Sequence, residues 1–365
     1  MFDGLDDIDW AALTHAYGSA ADVPGLLRAR ASNDPAVAEE ADGEFFGNIW
    51  HQGTVYEATA YAVPYLVELL RNEQTHDRFS LVVLLAFIAK GTSYMEVHDR
   101  YVHYMVDRPD LQEQLARELR WKAAAREAIQ ANAKDYWRLM DDPDLSVTVP
   151  FLLSQLPGET ERVCQRAPLW IHSQKDPLSR ASMLLCWATH QPPSDGNAAP
   201  FRTLLQQAET PLLQFSAALG VLRLGAAADV DDALRVYFEA ARDPSAYDPK
   251  DTRWFWGEGE FSSLLPEWIP YFGSAAKEAA LLWFPSVLPR LKDYTATVLA
   301  SQALGWAFDP DHLPREKREF TAVQLSLLQA LSRVTNIHYL DHSIERVMAA
   351  LGLPNDMKRL KAFLE

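Results

Sequence analysis

The residues best suited to chemistry are few and scattered. His338 and His342 stand four apart with Asp341 between them, and on a helix imidazoles at that spacing share a face and can bind zinc. The run Asn336-Ile337-His338-Tyr339-Leu340-Asp341-His342 offers no third ligand at a recognised spacing, so no metal is assigned. His98 and His103 are five apart, which turns them toward different sides of a helix. Glu39-Glu40 and Asp141-Asp142 are paired carboxylates, but acid–base catalysis needs two sharply different environments, and adjacent acids at helix ends are solvated alike. Gly257-Glu258-Gly259 is a fragment of a glycine-rich loop whose glutamates would repel a phosphate. The chain has no G-x-S-x-G elbow, no Walker A loop and no H-E-x-x-H pair. The reading is therefore a protein that is not an enzyme, with no catalytic residue and no cofactor assigned.

Two kinds of cluster remain as candidates for recognition. His51-Gln52-Gly53 with Tyr56, and His15-Ala16-Tyr17-Gly18 upstream, each place a histidine and a glycine beside an aromatic at a helix boundary. They read either as capping and packing groups between repeats or as binding groups. The second kind is the stretch Trp254-Phe255-Trp256-Gly257-Glu258-Gly259-Glu260-Phe261 followed by Trp268. Tryptophan is enriched at interface hot spots, and acids beside it would supply a polar rim. Either these rings fill the core between repeats or the stretch is partly exposed and supplies partner contacts; the second reading is carried forward, with Trp254, Phe255, Trp256, Glu258, Glu260, Trp268, His51 and Tyr56 as candidate partner-binding residues.

These residues must be carried on helices. The phrase Val23-Pro24 returns at Val63-Pro64, Val149-Pro150, Ala199-Pro200 and Leu288-Pro289, with prolines 40, 86, 50 and 89 residues apart. Ala-Leu-Gly occurs with its glycine at 220, 305 and 352, spaced 85 and 47. Both sets suggest a unit in the low to mid forties, the length of HEAT or armadillo repeats of packed helices. The expected class is all-α, an α-solenoid of HEAT-like repeats running as one body over 1–365, with 242–273 as an aromatic and acidic insertion. Proline suits a first helical turn, so each phrase reads as a helix entry, except that Pro64 lies in an apolar run and may kink one helix. Asp34-Pro35 caps a helix over 36–50, Gly53 ends it, and Thr54 caps the next. The longest helical pattern runs over 110–140. Further helices are expected at 149–156, 177–190, 200–208, 211–224, 230–241, 275–282, 295–308, 319–334 and 343–351. The segment 192–197 reads as a plain connector, and no strand is expected.

Composition narrows the partners. Of 365 residues, 48% are hydrophobic and 11 are Trp, enough for a packed core and against disorder. The net charge is −16, which disfavours DNA, RNA and anionic lipid because phosphate binders need basic stripes. Residues 1–60 hold eleven acids against only Arg28 and Arg30. The N-terminal residues lack a secretory pattern and there is no run of about 18 apolar residues, so a cytoplasmic location is expected. Cys186 sits in an apolar run and is read, with Cys164, as a reduced thiol.

The residues Trp10 to Gly18, then Asp22-Val23-Pro24, His51 to Tyr56 and Ala62 to Leu66 resemble the N-terminal part of a bacterial group of HEAT-repeat proteins, some associated with toxin–immunity systems. The resemblance covers about the first 75 residues and brings no catalytic residues. It implies an α-solenoid that binds another protein, and within that class an immunity protein that neutralises a cognate toxin stoichiometrically. A basic toxin domain would complement the acidic surface. The alternatives are a scaffold unrelated to toxins, or a HEAT-like enzyme such as a DNA glycosylase or lyase, which would need a basic concave face.

Overall fold

Short polar residues and prolines start the helices. Asp34 accepts from Ala36 N at 3.0 Å with Pro35 in the first turn, Asp176 accepts from Leu178 N at 3.2 Å ahead of Pro177, and Thr210 accepts from Leu213 N at 3.3 Å ahead of Pro211. Each satisfies an amide that the helix itself leaves unpaired. A computed structural model describes residues 1–97, 109–225, 227–257, 259–291, 293–309, 311–314, 317–334, 343–354 and 356–365. His98, His103, Glu258, His338 and His342 lie outside the described residues.

The described chain is all-α apart from two very short hairpins. In order it forms β1 (Thr14–His15), β2 (Gly18–Ser19), α1 (Val23–Arg30), α2 (Pro35–Gly47), β3 (Trp50–His51), β4 (Thr54–Val55), α3 (Glu57–Arg71), α4 (Arg78–Lys90), α5 (Tyr94–Val97), α6 (Pro109–Gln130), α7 (Ala133–Arg138), α8 (Val149–Ser154) and α9 (Thr160–Ser173). It continues with α10 (Pro177–His190), α11 (Asp195–Gln207), α12 (Pro211–Leu224), α13 (Val230–Arg242), α14 (Phe261–Trp268), α15 (Ser274–Val287), α16 (Asp293–Ala307), α17 (Ala322–Leu331), α18 (Ser343–Ala350) and α19 (Met357–Leu364). Two compact units divide it, Met1–Pro168 and Leu169–Glu365.

Inside each unit many helices pack on a neighbour or on the next but one, while in the first unit α3 also packs on α6 and α4 on α8. In the first unit α1 meets α2 and α3, and α4 meets α2 and α3. In the second, α12 meets α10, α11 and α13, while α13 with α15, α15 with α17, and α14 with α16 with α18 continue the pattern. That is the contact pattern of helix pairs stacked in chain order, in which each pair hides its apolar stripe on the following pair. The helix α12 is among the most enclosed, with Leu213, Phe215, Ala218, Leu219, Val221 and Leu222 all buried. At Gly220 a Cβ would fall 2.1 Å from the Phe201 ring, so this glycine lets α11 approach.

The first unit is tied together by a buried charge. Arg30 is fully enclosed and donates from Nε to Asp42 Oδ1 at 2.5 Å and from its two terminal nitrogens to the carbonyls of His76 and Asp77, each at 2.7 Å. Ser80 Oγ donates to Asp42 Oδ2 at 2.6 Å. Burial pushes the Asp42 carboxyl above its ordinary value, with Arg30 and Ser80 pulling it back. Removing one member of such a network costs far more than the network itself contributes, because its partner is left buried and unpaired.

Several expectations need correction. Strands do occur, at β1–β4. The pattern over 110–140 is interrupted at residues 131–132, where Asn132 turns its amide back on Ala128 O at 2.9 Å. The helix α11 begins at Asp195, inside the expected connector, because Ser194 Oγ caps Asn197 N at 3.2 Å. Pro24 and Pro150 lie in first turns and Pro64 inside α3, as expected, whereas Pro200 lies inside α11 and Pro289 in a 3₁₀ turn after α15, not at helix entries.

Candidate protein-recognition surface

The two His-aromatic clusters, 36 residues apart, each become a two-residue hairpin turn, of different conformation. In the second, Gln52 and Gly53 have φ of 49° and 88°, the two left-handed positions of a type I′ turn, and His51 pairs with Thr54. In the first, His15 pairs with Gly18 across Ala16-Tyr17. A helix follows each hairpin, so hairpin, helix, helix is the repeated unit at this end. The flanking strands are two residues long, too short to show alternation, and Gln-Gly is not the usual Asn-Gly signal. The local sign that could have found the turn was Gly53 itself, read only as a helix end.

The two hairpins meet. Ala16 N donates to Asn48 O at 3.1 Å, Asn48 Nδ2 to Asp22 Oδ2 at 3.2 Å, and Thr14 Oγ1 to Glu57 Oε2 at 3.2 Å. Tyr17 N donates to His15 Nδ1 at 3.1 Å, which assigns the ring proton to Nε2, and Nε2 donates to Asp22 Oδ1 at 3.0 Å. His15 is thereby held as a strut for Tyr17, whose ring lies edge-on to His51 with centroids 5.5 Å apart. Tyr17 is 72% exposed although its position is fixed. His51 and Tyr56 are half-buried beside it.

A third segment completes this face. Thr92 N donates to Gly53 O at 2.8 Å and Val55 N to Thr92 O at 3.1 Å, so the second hairpin is pinned to the end of α4. Close approach there depends on Gly91, since a Cβ would sit 2.6 Å from Val55 Cγ1. The Thr54 and Tyr56 hydroxyls share a 2.7 Å hydrogen bond, and Thr59 Oγ1 ties Tyr56 N to Ile49 O. Burial pushes the Tyr56 phenol above its ordinary value, the Thr54 bond opposes this, and Glu118, Tyr17 and Tyr94 add to it. Tyr94 is exposed, and beside it Glu96 pairs with Lys122 at 2.8 Å. Burial works against the ionised Glu96, yet the bonds from Lys122 and Ser93 outweigh it and hold the carboxyl below its usual value. Sequence reasoning selected His51 and Tyr56 but left out Tyr94, which has no motif around it.

The second unit holds the aromatic stretch, and partial exposure fails for most of it. Trp254, Phe255 and Trp268 are 3%, 7% and 5% exposed. Their rings fill the space between helices: Phe261 meets Phe215 at 4.8 Å, Trp256 lies 5.2 Å from Phe255 and 6.5 Å from Trp268, and Trp268 meets Tyr271 at 6.1 Å. Trp256 is half-buried, donating from Nε1 to Ser182 Oγ at 2.9 Å, and Glu260 is exposed. Tyr237, wholly buried, donates to Leu265 O at 2.8 Å, and burial raises its phenol well above the ordinary value.

Ahead of that stretch, the segment 246–251 walls a cleft of about 300 Å³ against the starts of α10 and α12, lined by Asp176, Pro177, Thr210, Pro211, Tyr247 and Asp251 among others. Its acids are occupied within the chain. Asp251 takes Arg253 Nη2 at 2.8 Å and Asp176 takes Ser179 Oγ at 2.8 Å, and the Arg253 guanidinium holds the Asp251 carboxyl below its ordinary value. Among the described residues no group of three or more His, Cys, Asp or Glu is placed to hold a metal, and no helix is long and apolar enough to cross a membrane. No family model, curated protein or solved structure matches this chain.

Proposed function

We propose that this is a protein-binding helical-repeat protein that acts by stoichiometric association, as an immunity protein that neutralises a cognate toxin. The observation that carries the binding reading is the hairpin face. Tyr17 is exposed yet fixed through His15 and Asp22, and His51, Tyr56 and Tyr94 lie on the same side with Glu57 and Glu96 at the margin. Rigid amphipathic rings give contact area at low entropic cost, and a pre-formed surface avoids the ordering penalty of binding. The toxin assignment is supported by the resemblance of residues 10–66 and by the acidic charge, which would speed capture of a basic toxin. On this reading the protein is cytoplasmic and works one for one.

Co-expression with the product of the adjacent gene tests it. A toxic product, growth rescue and an isolable equimolar complex are expected, with rescue lost in Tyr17→Ala combined with His51→Ala while the melting profile is kept. A harmless product, or rescue far below one equivalent, overturns the toxin reading. Full rescue by the double variant overturns the hairpin face as the contact surface.

A further inference from the structure

Many arginines of this acidic chain are answered by carboxylates among the described residues, as in Arg28 with Asp6, Arg71 with Asp135 and Arg202 with Asp195 and Asp229. A cleft of about 130 Å³ between α13 and α15 gathers arginines that are not so answered. Arg235, Arg242 and Arg290 converge on it, with Glu239 as its acid and Trp283 as one wall. Arg235 is shared with Glu239 at 3.4 Å and Asp232 at 3.8 Å, whereas Arg242 and Arg290 make no ion pair among the described residues. The lining of the cleft thus carries three guanidinium groups and one carboxylate, with Asp232 beside Arg235 and Asp231 accepting from the Trp283 indole at 3.5 Å at its edge, in a chain of net charge −16.

Trp283 is a fixed wall. Its ring stacks on Phe238 with centroids 5.9 Å apart and planes 19° apart, and Phe238 is itself held edge-on by Phe284 at 5.3 Å. Two unanswered guanidinium forks beside a flat ring form the chemistry that recognises an oxyanion joined to an apolar body. The small volume suits one such group and its first ring, and the lack of a basic stripe argues against a polymer of phosphates.

We propose that this cleft binds a small organic anion, a phosphate monoester or a carboxylate, through Arg242 and Arg290, with the apolar part of the ligand lying on Trp283. The site is independent of the hairpin face and does not rest on the toxin reading. Glu239 keeps Arg235 partly occupied, so its carboxylate competes with the ligand for that guanidinium.

Calorimetric titration of the full chain at low salt, with phenyl phosphate, 3-phenylpropionate and neutral benzyl alcohol as probes, tests the proposal. Saturable one-to-one binding of at least one anion is expected, weakening as NaCl rises, with no comparable binding of the alcohol. Arg242→Gln and Arg290→Gln should each weaken it about tenfold, and Glu239→Gln should tighten it. Both arginines are exposed, so the fold should tolerate their loss, which a thermal melt checks. Preference for phenyl phosphate identifies a phosphate ester as the source and preference for the carboxylate an organic acid. Absence of binding by either anion, equal binding by the alcohol, or unchanged affinity in the double arginine variant overturns the proposal.

Discussion

The hairpin face of the first unit and the aromatic stretch of the second use similar residues for opposite purposes. On the hairpins, Tyr17 stands at a turn whose backbone bonds to Asn48 and whose neighbour His15 is anchored by Asp22, so the ring is fixed without being covered. In the stretch 254–272 the rings lie where α10, α12, α13 and α14 leave room, and Trp254, Phe255, Phe261, Trp268 and Phe272 are all buried. Density of tryptophan reports the volume to be filled and not the surface to be shown. What separates the two regions is the support beneath the ring: a turn with its own hydrogen bonds can hold an aromatic in water, whereas a long loop such as 247–257 is held by burying aromatics.

The largest effect expected from this contrast is at Trp268. Trp268→Ala should cost about 3–5 kcal/mol of unfolding free energy, as for other large-to-small changes in a packed core, read as a shift of the denaturant midpoint. Trp254→Ala should behave similarly, since both side chains are buried. An unchanged midpoint in both would show that these rings do not support the fold and would erase the difference between the regions.

Next comes the support of the hairpins. Gly91→Ala places a methyl 2.6 Å from Val55 Cγ1 and 3.0 Å from Ile88 O, so the β4–Thr92 bridge must shift. A loss of about 1–3 kcal/mol is expected, accompanied by faster hydrogen exchange at Thr92 N and Val55 N. If stability falls while those two amides stay protected, the hairpin is not held from this side.

The helices were legible wherever a capping residue and a proline coincided. Pro177–His190 and Pro211–Leu224 appear with their expected limits because Asp176 and Thr210 cap them. The all-α class is found as well. The repeated phrases themselves were poor markers of equivalent positions. Gly220 makes room for Phe201, Gly305 has open space around it, and Gly352 has a φ of 65° at the end of α18, so one phrase serves three purposes. Of the candidate site, His51 and Tyr56 were found through the local pattern of histidine, glycine and aromatic. Their meeting with Tyr17 and Tyr94 depends on packing between segments some 40 residues apart, which no local pattern encodes.

Histidines repeat the contrast on a smaller scale. His51 and His190 are both half-buried, but at the end of α10 the Nε2 of His190 is itself buried with no hydrogen-bond partner among the described residues. Burial, with the Arg223 guanidinium nearby, holds its imidazole below the ordinary value of 6.5. The native state then binds fewer protons than the unfolded chain, so stability is complete above pH 6.5 and falls as the pH drops from there toward the depressed native value. The slope is at most about 1.4 kcal/mol per pH unit for one group. His190→Gln should flatten that part of the profile of unfolding free energy against pH, and an unchanged slope would place the acid sensitivity elsewhere.

The smallest effect on stability, and the most discriminating, is expected at Tyr17. Its side chain is 72% exposed, and the turn and strut bonds around it run through its backbone and through His15 rather than its phenol. Tyr17→Ala should therefore change the unfolding free energy by less than about 0.5 kcal/mol, as for most surface substitutions. At a protein interface the same truncation of a rigid tyrosine anchor costs about 2 kcal/mol or more. Asp22→Ala separates position from contact: it keeps the phenol but removes the partner of His15 Nε2 and of Asn48 Nδ2. If the surface works because it is pre-formed, Asp22→Ala should weaken the partner complex nearly as much as Tyr17→Ala does, by slowing association and speeding release together. Normal binding by Asp22→Ala with lost binding by Tyr17→Ala would show that the ring matters and its fixing does not. Normal binding by both would remove the hairpin face from the interface.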